Sequence, residues 1–320
     1  MSIIGLTAVL GLSQDAAIVL LSLIATLIAI AIFIKSRAYR PSCIAGPQRL
    51  PPDEPIGPFV FIMIGGLSLW MLVPALILKF LHRGVRLEDI KATPRETVML
   101  GIIAGAVPLF FMLLGTFTRR QRGLQTLGFT SHHLNSALSP ALSGIVFILP
   151  LVGWVAILSD WLMKKIHLQP PPKHELLQIM DQSPGPLLKI LIAFGAIIVA
   201  PLFEEFLFRG HLQTLLVRVM GASQPASDFA RGFPIITSSG ETVPPPAYDR
   251  PRPRPLLRWL AVIITSILFA LVHHWSIWLP IFTLALCLGY MYERTGNLWI
   301  IVLMHAMFNG FSIIINLVAH

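Results

Sequence analysis

Apolar residues fall into eight long blocks, at about 16–34, 58–80, 97–117, 138–159, 187–208, 257–273, 277–292 and 298–318. A helix needs roughly 20 mainly apolar residues to cross the hydrocarbon core, and each block meets or approaches that length. The pattern predicts an all-α fold, a polytopic membrane helix bundle of about eight transmembrane helices. Two polar stretches interrupt it. Residues 221–256 hold eight prolines, including Pro244-Pro245-Pro246 and the alternation from Arg250 to Pro255. Proline lacks the backbone donor, so this stretch is expected to be neither helical nor part of a sheet. It reads as an extended, solvated spacer between the fifth and sixth spans. A shorter loop, 164–186, carries Pro170-Pro171-Pro172. The chain therefore divides into spans 1–4 at 1–186 and spans 5–8 at 187–320, with the proline-rich loop at 221–256.

Composition supports the membrane reading. Hydrophobic residues make up 55% and charged residues 12% of 320 positions. A soluble chain carries about 25% charged residues, and mean hydropathy here is +0.76. The formal charge is +9, which fits basic residues flanking spans and facing anionic headgroups rather than nucleic acid. Membrane lipids are thus expected partners and nucleic acid is not. The first block has no Lys or Arg before it and Lys35, Arg37 and Arg40 after it. It reads as an uncleaved anchor with the N-terminus outside. On that topology 15 Lys and Arg face the cytoplasm and 9 the other side, although the basic loop at 81–96 opposes the trend. Cys43 and Cys287 do not read as a structural bridge.

Ionisable residues inside spans are the informative ones, because each is costly there and tends to face a cavity. Glu204 and Glu205 are adjacent, and Phe206-Leu207-Phe208 continue the apolar run beyond them. Glu205 and Arg209 are four apart and share a helix face. Glu204 is five from Arg209, about 140° away in an α-helix. Arg209 can therefore neutralise Glu205 and leave Glu204 unpaired. His273 shares a face with Phe269, whereas His274 is rotated by about 100°. His305 and Asn309 project together from the last block. A carboxylate left without a partner can act as a base, and His and Asn on one helix face can donate hydrogen bonds. Counted from the loop at 221–256, Glu204 and His273 lie at a similar depth of about 24 Å. His305 is only about 12 Å from the turn at Gly296, which requires tilted or staggered helices.

Three motifs in this order, Glu204-Glu205-x-x-x-Arg209, Phe269-x-x-x-His273 and His305-x-x-x-Asn309, resemble those of the CPBP family of intramembrane endopeptidases. These are the CAAX-protease and bacteriocin-processing enzymes. The stretch from Leu288 to Trp299 resembles the same family, and the likeness covers roughly 187–310. The proline-rich insert is longer than the connection expected between the first two motifs. The resemblance implies a peptidase in which Glu204 is the general base and His273 helps to hold the water. It implies that His305 and Asn309 stabilise the oxyanion, with Glu205, Arg209 and Phe269 in support. The implied substrate is a membrane-tethered peptide or protein, of the CAAX type or a bacteriocin-like leader. The expected location is integral and multi-pass, in a bacterial plasma membrane.

Three alternatives stand beside that reading. A non-catalytic binding, immunity or regulatory protein would keep the site without turning over. A proton-relaying transporter should show inverted repeats with broken helices in both halves, whereas the polar residues here cluster in the second half. A zinc-dependent version of the protease would use Glu204, His273 and His305. No His-Glu-x-x-His occurs, so the expectation is a protease with no firmly implied cofactor, zinc remaining open.

Overall fold

The computed structural model describes residues 55–118, 123–167, 175–182, 185–220 and 255–318, with scattered positions between 20 and 50 and the pairs 235–236 and 242–243. Most of the block at 16–34, most of 221–254, Cys43 and Pro170–Pro172 lie outside the described residues.

Among the described residues, five helices are long and apolar enough to cross a membrane. These are α1 (Ile56–Leu81), α2 (Pro94–Thr118), α3 (Leu138–Lys165), α4 (Pro186–Val219) and α7 (Leu298–Val318). Between α4 and α7 come α5 (Pro255–Leu271) and α6 (Trp278–Thr295). The expected count of about eight is not confirmed, five such helices standing among the described residues. Helix α5 has 17 residues, about 26 Å of rise, which is short of the ~30 Å hydrocarbon core. Helix α6 gives its last two turns to Tyr290, Tyr292, Glu293 and Arg294. Large apolar side chains point outward along the long helices: Phe61 is 70% exposed, Leu76 66% and Val146 73%. So many exposed apolar groups suit lipid rather than water. The molecule is an all-α membrane bundle.

Local chemistry sets the helix ends. Helix α2 starts with Pro94 in its first turn and a capping box: Thr93 N–H donates to Glu96 Oε2 at 2.7 Å and Glu96 N–H to Thr93 Oγ1 at 3.3 Å. Helix α6 ends at Gly296, which is left-handed (φ 64°) and returns its N–H to Tyr292 O at 2.8 Å. Gly128 (φ 70°) lies against the Gly296 carbonyl and the Asn297 backbone so closely that no Cβ would fit. The residues around it, with short helices at Gly123–Thr126 and Ser131–Asn135, roof the α6–α7 turn. Tyr292 Oη donates to Leu127 O, Asn297 Nδ2 donates to His133 O, and Phe129 stacks on Trp299 at 4.2 Å.

One correction concerns the proline-rich segment. Ile235–Ile236 pairs antiparallel with Thr242–Val243, so the stretch expected to join no sheet contains a two-residue ladder. These four residues are β-branched, which favours strand pairing.

The helices on either side of this insert pack directly on each other. Val217 of α4 and Ala261 of α5 are buried against each other, with Leu216, Met220 and Leu257 around them. Loop-closure cost changes by only about 0.6 kcal/mol per doubling of length. Replacing residues 224–254 with a short Gly-Ser linker should therefore leave the melting temperature in detergent within a few degrees of wild type. Aggregation on extraction would show instead that the insert packs as part of the core.

Candidate active site

Helix α4 is not a regular α-helix. It contains π-helical turns at Gly195–Val199 and Phe206–Gln213, with an α-helical stretch, Ala200–Glu205, between them. Pro201 explains the first widened turn. It has no N–H for the preceding turn, and its ring crowds a carbonyl there. In the second, Thr214 Oγ1 donates to Arg209 O and His211 Nδ1 meets Phe206 O, each five residues back. Such π-turns recur at functional sites, and both glutamates sit between the two.

Glu205 is fully buried, and its Oε1 receives two donors. Arg209 Nη1 lies at 3.1 Å, and His305 Nδ1 of α7 at 2.8 Å. Against a carboxylate, the His305 Nδ1 is the protonated donor. Its other nitrogen, Nε2, lies 3.8 Å from Glu204 Oε2. That is longer than a hydrogen bond and suits two groups flanking one oxygen atom. The Glu204 side chain is 23% exposed, in contrast to Glu205. The two adjacent acids thus have different surroundings, one enclosed and one open.

Arg209 extends the arrangement. Nη2 donates to Ala285 O of α6, and its guanidinium lies over the Phe269 ring at 4.4 Å. Phe269 of α5 is buried and also touches the rings of His273 (4.7 Å) and His305 (6.0 Å). His273 Nδ1 bonds to Phe269 O at 2.7 Å. His274 is exposed beside Trp275. Asn309, four residues after His305, donates from Nδ2 to Ala196 O at 2.8 Å, so one of its amide hydrogens is committed to the backbone of α4. Among the described residues, no three His, Cys, Asp or Glu side chains stand close enough together to hold a metal ion.

One turn along α4, a second buried network runs beside the first. Gln213 Nε2 donates to Glu293 Oε1 (2.9 Å) and Gly289 O (3.1 Å), and Arg258 Nη1 donates to Glu293 Oε2 (3.0 Å). All three side chains are at most 5% exposed. Sequence reasoning missed Gln213 and Arg258. Their place at the polar edges of apolar blocks looks interfacial, and Arg258 meets its partner 35 residues away. His211 was missed as well. It is buried between Phe59 (4.6 Å) and Phe206 (5.0 Å), with Nε2 3.3 Å from Thr116 Oγ1. A histidine two residues beyond Arg209 in an otherwise apolar run was the available signal.

The apolar helical bundle thus brings two carboxylates of α4 and an imidazole of α7 together. A family model described as type II CAAX prenyl endopeptidase Rce1-like matches residues 186–311. Residues 186–311, the stretch that carries Glu204, Glu205, His273 and His305, thus resemble a family made up of intramembrane proteases. No curated protein and no solved structure matches the chain.

Proposed function

We propose that the protein hydrolyses a peptide bond of a membrane-associated peptide or protein, using water activated by Glu204. The observation that carries the reading is the opposed pair of Glu204 Oε2 and His305 Nε2 at 3.8 Å, with the other His305 nitrogen held by Glu205. In this scheme Glu204 takes a proton from water as the water oxygen attacks the carbonyl carbon. His305, its Nδ1 held by Glu205, directs Nε2 toward the place where the oxyanion forms. When the tetrahedral intermediate collapses, the C–N bond breaks and Glu204 returns its proton to the leaving nitrogen. His273, with Nδ1 held by the Phe269 carbonyl, presents its other nitrogen to the same water.

The substrate we favour is tethered to the membrane near the cleavage point. The family description names CAAX prenyl endopeptidases, and a substrate of that kind has a lipid-anchored C-terminal segment. A leader peptide is the other member of the same class. Comparing the membrane proteomes of cells carrying the wild-type protein or Glu204→Gln tests the proposal. Unprocessed precursors should accumulate with the variant, and identical peptide termini in both would sink it.

A further inference from the structure

The π-turn before Pro201 leaves one backbone carbonyl in need of a donor. The Ala200 N–H reaches back five residues to Gly195 O. In that register the next carbonyl, Ala196 O, is due the N–H of residue 201. Residue 201 is proline and has none. Within a membrane bundle a carbonyl cannot be left to water. Asn309 Nδ2, from α7, fills the place at 2.8 Å.

We infer that Asn309 is a positioning residue, supplying the donor that Pro201 cannot and so fixing the register of the stretch that carries Glu204. Ala200–Glu205 resumes the α-helix directly after this turn. A one-residue change of register there would rotate Glu204 by about 100° and carry it away from His305. Asn309 thus acts on the reaction through the backbone of α4. The inference rests on the reading of Glu204 as the acid that activates water.

The test is a double-mutant cycle between Asn309→Ala and Pro201→Ala in detergent. With alanine in place of Pro201, the backbone has an N–H for every carbonyl of the turn in either the α or the π register. Asn309→Ala should lower the melting temperature by several degrees with Pro201 present, and by less than half as much in the Pro201→Ala background. Equal losses in both backgrounds would overturn the inference. If Asn309→Ala does not survive extraction, Asn309→Ser, whose side chain is too short to reach Ala196, is read in the same two backgrounds.

Two further readings separate positioning from direct participation. With Pro201 in place, Asn309→Ala should lower kcat about a hundredfold, the scale of a 1 Å misplacement, with KM within about twofold. Carbodiimide labelling of Glu204, followed by mass spectrometry, should change at least about threefold in the same variant. A fall in kcat with unchanged labelling would mean that Asn309 acts on the reacting carbonyl itself, and would overturn the assignment. Melting and labelling need no turnover. An absence of proteolysis in the wild-type protein would therefore count against the protease reading alone.

Discussion

Glu204→Gln is expected to lower kcat about a thousandfold, within the range that a positioned general base supplies, while leaving the fold intact. The glutamine keeps size and hydrogen-bonding capacity but cannot accept the proton of water. Its neighbours explain why the fold should survive. Arg209 is paired with Glu205, and no direct hydrogen bond joins the Glu204 carboxylate to His305, 3.8 Å away. The measurement is single-turnover cleavage of a membrane-tethered peptide by purified protein, alongside thermal unfolding in detergent. A variant that cleaves at the wild-type rate would remove Glu204 from the chemistry.

Glu205→Ala should act through a different quantity, stability. It removes the acceptor for both Arg209 and His305. Arg209 is 1% exposed, with its Nε already lacking a hydrogen-bond partner. Removing one partner of a buried ion pair costs about 3–5 kcal/mol, because the other charge stays buried. Low extraction yield and a large drop in melting temperature are the expected results. A second variant, Glu205→Leu with Arg209→Met, removes both charges. It should regain much of the stability yet remain inactive, since nothing then holds the His305 ring. Wild-type activity in that double variant would show that the Glu205–His305 bond is dispensable.

The long helices were legible because a 20-residue apolar block has little else to be. The Glu205–Arg209 bond was legible too, since an i,i+4 spacing brings the two side chains together in any ordinary helix. The widened turns were not. Counting 100° per residue assumes an α register, and α4 departs from it on both sides of the glutamates. Pro201 was visible, but its consequence for Ala196 depends on a side chain 113 residues away. Separation in sequence likewise hid the Arg258–Glu293 pair, 35 residues apart, and the roof over Gly296. The stagger required by the shallow His305 is present. His305 touches Glu205 seven residues into α7, whereas α4 runs fourteen residues further to Val219.

The two short helices have a bearing on how the chain enters its bilayer during synthesis. Helices α1 to α4 and α7 are apolar and long enough to partition as single segments. Helix α5 is short and α6 ends in charge, and their Arg258 and Glu293 are buried as an ion pair beside Gln213 of α4. A lone charged side chain at mid-bilayer costs at least about 2.5 kcal/mol on insertion scales. Helices α5 and α6 are thus expected to enter together as a hairpin, between the longer α4 and α7. The active site comes into being only after that late step, because Glu205 waits on α4 until α5 brings Phe269 and α7 brings His305. A nascent chain released before α7 would leave the insertion machinery with its acids in place and its chemistry unassembled.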